Sequence, residues 1–151
     1  MTSPVSRLVC WGCGGAPGDR DPYPFRCPNT GVGDVDHVLV RVLDPEQVRF
    51  PGGSPGEGPP FVHYRDLLHS HHRARAGGMG DDEFVALATR LDDAVARVAG
   101  SGFRATPFGR SAALSDQLGL SVTGGVWVKD ETGNVTGSHK GRHLMGVLLH
   151  L

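Results

Sequence analysis

The most regular hydrophobic pattern in the chain lies between Asp81 and Gly100. Apolar side chains recur there at helical spacing on one face, and charged side chains occupy the opposite face. The apolar positions are Phe84, Leu87, Ala88, Leu91, Ala94 or Val95, and Val98. Asp81 or Asp82 can cap the first turn, where acidic groups suit the helix dipole, and Gly100 can end the helix. The pattern predicts an amphipathic helix with one face in the core.

A second helix is predicted from about His139 to Leu151, with Ser138 as its N-cap. Its apolar residues lie on nearly every side, which is typical of a helix buried between layers. These residues are Leu144, Met145, Val147, Leu148, Leu149 and Leu151. No capping glycine, basic last turn or proline ends this helix. The pattern therefore favours an N-terminal piece of a larger protein.

Shorter patterns predict the remaining elements. The predicted elements are strands over 37–43 and 126–128, an extended piece over 61–64, a helical stretch over 65–75, and a helix over 112–118 capped by Ser111. Glycine and proline are concentrated before Gly80, and the run 51–60 is typical of a flexible connector. We therefore predict an α/β fold in two parts. Residues 1–60 form an irregular, cysteine-containing cap and connector, and residues 61–151 form an incomplete α/β domain.

Length, charge and composition narrow the classes of function. The chain has 151 residues, which suits one domain, and its net charge is −1 with a pI near 6.7. This near-neutral balance argues against nucleic acid as an obligatory partner. The sequence has no signal-peptide pattern, and its longest apolar run is too short to cross a bilayer, so no membrane partner is expected. Three cysteines, an odd number, fit a reducing compartment, and we expect a cytoplasmic protein.

The cysteines have a spacing that suits a metal. Cys10 and Cys13 form a Cys-x-x-Cys knuckle followed by glycines, and Cys27 lies at a distance compatible with the second half of a zinc ribbon. A complete ribbon would have a fourth cysteine at Thr30. The fourth ligand could instead be His37, Asp34 or Asp36. The alternative interpretation is a loop-rich cap with three reduced cysteines and no metal.

Histidines are grouped around the predicted helical stretch, at His63, His69, His71 and His72. Adjacent histidines such as His71 and His72 point in different directions on a helix, so they do not converge on one ion. We predict that this cluster is exposed and has no function.

The stretch from Glu131 to Arg142 reads Glu-Thr-Gly-Asn-Val-Thr-Gly-Ser-His-Lys-Gly-Arg. It resembles the Schiff-base motif of the tryptophan-synthase-β-like (fold type II) pyridoxal-phosphate enzymes. In threonine synthases and serine/threonine dehydratases that motif is approximately Glu-x-x-Asn-Pro-Thr-Gly-Ser-Phe-Lys-x-Arg. Upstream, Thr106-Pro107-Phe108 resembles the Thr-Pro-Leu segment of the same enzymes, so the similarity covers about residues 102–151. The resemblance implies the N-terminal portion of a fold type II enzyme.

By this resemblance Lys140 is the catalytic lysine that binds pyridoxal 5'-phosphate as a Schiff base and then moves the proton at the substrate α-carbon. The other residues that the resemblance places beside the cofactor are Asn134, Thr136, Gly137, Ser138 and His139. Val135 replaces the usual proline, and His139 replaces a phenylalanine that packs on the pyridine ring. The implied substrates are amino acids such as serine, threonine or O-phosphohomoserine, which lose or exchange a β- or γ-substituent.

Other classes of function remain open. In relatives the loop that holds the cofactor phosphate lies downstream of the lysine, so we also consider an inactive remnant. A split enzyme that needs a complementing chain or a homo-oligomer is a further alternative. A zinc-ribbon-like interaction module is the third. Some threonine synthases have a small cysteine-rich N-terminal segment, and the cysteines here therefore favour a threonine-synthase-like reaction over a dehydratase.

Overall fold

A computed structural model describes residues 4–18, 21–53, 56, 58–120 and 124–151. In chain order these residues form β1 (Ser6–Cys10), β2 (Leu39–Leu43), α1 (Pro60–His63), α2 (His69–Ala76), α3 (Asp81–Ala99), β3 (Phe108–Arg110), α4 (Ala112–Gln117), β4 (Trp127–Lys129) and α5 (Lys140–Leu148). Short 3-10 turns occur at Arg65–Leu67 and Val135–Gly137. The content is therefore mixed α and β. No helix in these ranges is long and apolar enough to cross a membrane.

The strands form two small antiparallel pairs. β1 pairs with β2, and Cys10 at the end of β1 lies opposite Leu39 at the start of β2. β3 pairs with β4, and Phe108 lies opposite Lys129. The predicted strand over 126–128 is thus shifted by one residue, and the strand predicted over 37–43 begins two residues later. The cysteine knuckle follows β1 of the first pair, and the loop that leads to Lys140 follows β4 of the second pair.

The core lies where α1, α3 and α5 meet the loop before β3. Its buried hydrophobic residues are Phe61, Phe84, Ala88, Phe103, Val135, Met145 and Leu149. Phe61 and Phe103 meet edge to face, with ring centroids 5.1 Å apart. Val135 belongs to the loop that precedes Lys140, so this loop is anchored in the core on one side.

Helix α3 confirms the prediction of an amphipathic helix, with Phe84 and Ala88 buried and Gly100 in the left-handed conformation just after its end. Its start differs from the prediction. The N-cap is Gly80, whose backbone N–H donates to the Glu83 carboxylate at 2.6 Å, so Asp81 and Asp82 are first-turn residues rather than caps. The apolar face also ends early, because Val98 is 92% exposed.

Helix α5 is shorter and less buried than predicted. It begins at Lys140, after His139 in the N-cap position, and the Ser138 hydroxyl accepts from the Lys140 backbone N–H at 3.2 Å. Ser138 therefore satisfies a helix N–H from one position before the cap. Only one face is in the core, since Leu144 is 65% exposed and Leu148 is 45% exposed. The prediction of burial on nearly every side is wrong for the described residues.

Two further local predictions are corrected. Residues 61–64 are not extended, because Pro60 occupies the first position of α1, where its fixed φ favours a helix. β1 was not predicted, since its apolar run passes directly into the cysteine knuckle. The short helix after Ser111 is confirmed, and the Ser111 hydroxyl accepts from the Leu114 N–H. Within the connector 51–60, positions 54, 55 and 57 lie outside the described residues.

Candidate metal centre and lysine loop

The structure brings Cys10, Cys13, Cys27 and His37 together. Their ligand atoms all lie within 4.8 Å of one another. Cys13 Sγ is 3.5 Å from Cys27 Sγ, and His37 Nδ1 is 3.3 Å from Cys27 Sγ and 3.6 Å from Cys10 Sγ. Thiolates at about 2.3 Å from a tetrahedral zinc ion lie about 3.7 Å apart, close to these distances. The four residues can therefore hold a metal ion such as zinc.

Tight backbone turns bring the two knuckle cysteines to this position. Gly14 N–H donates to the Cys10 carbonyl at 2.8 Å, and Cys10 N–H donates to the Gly15 carbonyl at 2.6 Å. Gly12 has no room for a side chain, because a Cβ there would lie 2.1 Å from the Asp36 carbonyl oxygen. The turn from Cys10 to Gly15 therefore packs directly against the segment that carries His37.

Hydrogen-bond donors around the sulfur atoms favour thiolates. Asn29 Nδ2 and Gly15 N–H each donate to Cys13 Sγ at 3.4 Å, and Asn29 N–H donates to Cys27 Sγ at the same distance. The Asn29 and Gly15 contacts lower the pKa of Cys13 to about 6, whereas burial raises the pKa of Cys27. Metal ligation requires the thiolate form, and the contacts from Asn29 and Gly15 favour this form at the exposed Cys13.

The fourth member of the cluster is His37, which settles the choice between the three candidates named from the sequence. The Nδ1 atom of its ring faces the thiols, and Nε2 lies 3.1 Å from Asp34 Oδ2. Asp34 therefore contacts the far side of the imidazole. Asp36 is not part of the cluster, and its backbone N–H donates to Asp34 Oδ1 at 3.0 Å.

The loop before α5 is constrained. Thr136 has a φ of 65°, and it is the one residue other than glycine with a positive φ in the described ranges. Gly137 follows with a φ of 61°. A left-handed conformation is strained for a β-branched residue, and such strain persists only where the surroundings impose it. Gly141 contributes to this constraint, because a Cβ there would lie 3.0 Å from both Val135 O and Thr136 Oγ1.

The candidate cofactor residues differ in exposure. Asn134 is 6% exposed, and its Oδ1 has no hydrogen-bond partner, whereas its Nδ2 donates to Glu131 Oε2 at 3.0 Å. Lys140 and His139 are exposed at the start of α5, next to a half-buried Ser138. Thr136 and Gly137 are exposed on the outer side of the loop.

Lys140 does not line either of two cavities formed by the described residues. One of these, of about 820 Å³, lies between the β1–β2 pair and the inner face of α5. It is mainly apolar, with Phe25, Phe61 and Val147 in its wall and His69 and His150 at its sides. Residues 134–140 do not line it, although Arg142 and His143 in the first turn of α5 do.

The histidine cluster is not simply exposed, which corrects the prediction. His71 is 5% exposed, and its Nε2 lies 2.9 Å from Asp81 Oδ1. Arg65 donates to both oxygens of the same carboxylate at 2.9 Å, which is the main cause of an Asp81 pKa of about 2. The burial of His71 depends on a partner ten positions later on another helix, and no local pattern indicates it.

His69 connects the cap to the helical part. Its Nδ1 lies 2.9 Å from the Ser6 hydroxyl on β1, and its ring stacks on His150 with a centroid distance of 6.0 Å. Phe25 meets the same His150 ring edge to face at 5.6 Å. These contacts join residues on both sides of the predicted boundary at position 60.

Glu131 and Arg142 form a network that sequence reasoning missed. Arg142 Nε lies 2.9 Å from Glu131 Oε2, and Arg142 Nη2 donates to the Arg104 carbonyl at 2.7 Å. Glu131 and Arg142 are the first and last residues of the motif that resembles the pyridoxal-phosphate enzymes. Their opposite charges at its two ends could have indicated an ion pair.

Comparison of the chain with protein families, curated proteins and solved structures yields no match. A proposal of function therefore rests on the motif from Glu131 to Arg142 and on the geometry of the chain's own residues.

Proposed function

We propose that this chain carries the Schiff-base lysine of a pyridoxal-phosphate-dependent lyase or synthase that acts on amino acids, in the manner of a threonine synthase. Lys140 is that lysine. The observation that carries the proposal is the buried Asn134 Oδ1 without a hydrogen-bond partner, in the strained loop that leads to Lys140. A buried acceptor without a partner costs about 1–3 kcal/mol, and a ligand that donates to it would offset this cost.

The residues at the loop fit such a cofactor. Lys140 would hold it covalently, Asn134 would accept a hydrogen bond from it, and the exposed imidazole of His139 would provide a flat surface for its ring. Thr136, Gly137 and Ser138 would form the wall of the loop beside it. Strained backbone of the kind found at Thr136 is concentrated at ligand-binding sites, which supports this assignment.

The proposed chemistry assigns each group one task. Bound pyridoxal phosphate supplies an electron sink for negative charge at the substrate α-carbon. The amine of Lys140, freed when the substrate amine takes its place on the cofactor, would remove and return the proton at that carbon. Backbone N–H groups of Ser138 and His139, next to the start of α5, would bind the substrate carboxylate. The substrate is an amino acid with a leaving group at the β- or γ-carbon, and a complementing chain or a second copy would supply the rest of the cleft.

Selective labelling of Lys140 tests this function. The chain contains only two lysines, Lys129 and Lys140, so each serves as the control for the other. Pyridoxal phosphate is added over a range of concentrations, the adduct is reduced with borohydride, and peptides are mapped by mass spectrometry. We expect saturable labelling at Lys140, at least about tenfold above Lys129, that is lost in Lys140→Ala. Equal and unsaturable labelling of both lysines would contradict the proposal.

We also propose that the Cys10, Cys13, Cys27 and His37 cluster binds zinc in a structural role. Four protein ligands leave no open position for substrate, which is typical of structural zinc sites. In this role the ion would hold the segments that carry Cys27 and His37 against the end of β1. A zinc-ribbon-like interaction module is compatible with this site, and it would not require Lys140.

Metal content tests the second proposal. We expect about one zinc per chain after purification without chelators, and loss of most of it in Cys13→Ser and His37→Gln. His143→Gln is the matched control, since this exposed histidine lies on α5, outside the cluster. Zinc that persists in Cys13→Ser, or that is lost equally in His143→Gln, would be against a site at these four residues.

A further inference from the structure

Glu131 lies at the meeting point of three segments. Its side chain is 13% exposed and accepts from Thr106 Oγ1 before β3, from Asn134 Nδ2 in the lysine loop, and from Arg142 Nε in the first turn of α5. Lys129 Nζ lies 3.6 Å from the same carboxylate. A single side chain therefore joins the segment before β3, the lysine loop and the first turn of α5.

The Glu131 carboxylate remains ionised and can therefore only accept hydrogen bonds. Burial raises the pKa of Glu131, but hydrogen bonds from Arg142 and Thr106 outweigh burial and bring the pKa to about 2. An ionised carboxylate has no proton to donate. The atom of the Asn134 amide that faces Glu131 must therefore be the nitrogen, and the oxygen is the end that remains without a partner.

We propose that Glu131 is a positioning residue that fixes the Asn134 amide with its oxygen free, so that the site selects a ligand group that donates a hydrogen bond. This inference deepens the proposed function and rests on it for the identity of the ligand, pyridoxal phosphate. Glu131 does not touch the reacting atoms. It acts through Asn134, because an amide whose nitrogen donates to Glu131 has its oxygen on the opposite side, where Oδ1 is without a partner.

Side-chain amide NMR tests the orientation directly and needs no ligand. The chain has four primary amides, at Asn29, Gln47, Gln117 and Asn134, so their NH₂ signals are simple to assign. We expect the Asn134 NH₂ protons to exchange with solvent at least about tenfold more slowly than those of the exposed Gln117, because they are buried and donate to Glu131. In Glu131→Gln the amide can rotate, and we expect the Asn134 signals to shift and to lose this protection.

Arg142→Gln provides the matched control. Like Glu131→Gln, it removes the ion pair between Arg142 and Glu131 and should lower the free energy of unfolding by a similar amount. It leaves Glu131 in place to accept from Asn134. Both variants should lower Tm, whereas only Glu131→Gln should change the Asn134 signals. With pyridoxal phosphate as the probe, the half-saturating concentration for labelling of Lys140 should rise about tenfold in Glu131→Gln, the usual cost of one lost hydrogen bond to a bound ligand. Arg142→Gln should change it less than about threefold.

The outcomes separate the two proposals. Asn134 signals that are the same in wild type and Glu131→Gln, or that change equally in Arg142→Gln, would overturn the positioning role. If Glu131→Gln does not fold, the wild type decides, since an Asn134 amide that exchanges as fast as Gln117 would equally overturn it. A protected Asn134 amide without selective labelling of Lys140 would overturn pyridoxal phosphate as the ligand and leave the role of Glu131 supported.

Discussion

The imidazole of His37 is held from both sides, with Nδ1 3.3 Å from Cys27 Sγ and Nε2 3.1 Å from Asp34 Oδ2. A carboxylate on the far nitrogen of a metal-binding histidine fixes the tautomer and the orientation of the ring, and it raises the basicity of the nitrogen that faces the metal. The sequence named Asp34 as a candidate ligand, and the structure places it behind His37, whose Nδ1 faces the thiols.

Asp34→Ala should therefore weaken metal binding without abolishing it. We expect zinc affinity to fall about tenfold, at the lower end of the range for such supporting carboxylates. Competition with a chromogenic chelator measures this change. Asp36→Ala is the control, because Asp36 lies two positions away and outside the cluster, and it should retain wild-type affinity. Equal losses in both variants would argue against a specific role for Asp34.

Gly12→Ala should disrupt the cysteine knuckle. The added Cβ would lie 2.1 Å from the Asp36 carbonyl oxygen, so the backbone has to move. We expect a loss of about 1–3 kcal/mol in the free energy of unfolding by urea, as is typical when atoms are forced into a packed site, together with lower zinc content. Gly18→Ala meets nothing within 4 Å and should remain within about 0.5 kcal/mol of wild type. A neutral Gly12→Ala would show that the turn differs from the one described.

Acidification should destabilise the protein through His69. Burial, together with the nearby charges of His150, Arg73, Arg41 and His72, lowers the pKa of His69 to about 4. The unfolded chain takes up a proton on this histidine near pH 6.5, whereas the folded chain does so only near pH 4. The contribution of neutral His69 to the free energy of unfolding is thus fully present above about pH 6.5 and is lost as the pH drops to about 4.

The size of this effect is roughly 1–2 kcal/mol after allowance for the part of the ring that solvent reaches. The measurement is the urea unfolding free energy from pH 7 to pH 4 for wild type and His69→Gln. We expect the difference between them to shrink as the pH falls. A constant difference across the range would contradict the prediction.

Thr136→Gly should stabilise the fold. A threonine at a φ of 65° is strained by roughly 1 kcal/mol or more, and glycine removes this strain at some entropic cost, so we expect a net gain of about 0.5 kcal/mol. Thermal unfolding measures it, and Thr136→Asn should change Tm in the same direction, because asparagine tolerates the left-handed region. If the loop binds pyridoxal phosphate, labelling of Lys140 should weaken in Thr136→Gly. A clear fall in Tm in both variants would show that the Thr136 side chain stabilises the loop.

Sequence patterns predicted those elements whose hydrophobic repeat and end signals lie within their own residues. Helix α3 was predicted because apolar residues repeat over five turns and Gly100 ends it. The three cysteines were grouped correctly because their spacing follows the turns of a knuckle. Helix α1 was missed because four residues are too few to show a period, and proline at its first position was the available signal.

Features that depend on contacts between distant segments were not predictable. The choice of His37 over Asp34 depends on how the segment before β2 returns to the knuckle. The burial of His71 depends on Asp81 on another helix, and the ion pair of Glu131 depends on Arg142 in the first turn of α5. In each case the sequence contains the right residue types, but only the fold decides which atoms meet.

Strand β1 has Cys10 at one end and Ser6 at the other, about 13 Å apart for an extended strand of five residues. Ser6 contacts His69, His69 stacks on His150, and His150 lies just beyond the helix that begins with Lys140. Strand β1 therefore connects the thiol cluster to the end of α5, through the contacts of Ser6 with His69 and of His69 with His150. We expect a change at the thiols to shift the ring NMR signals of His69 and His150, at the far end of this series of contacts.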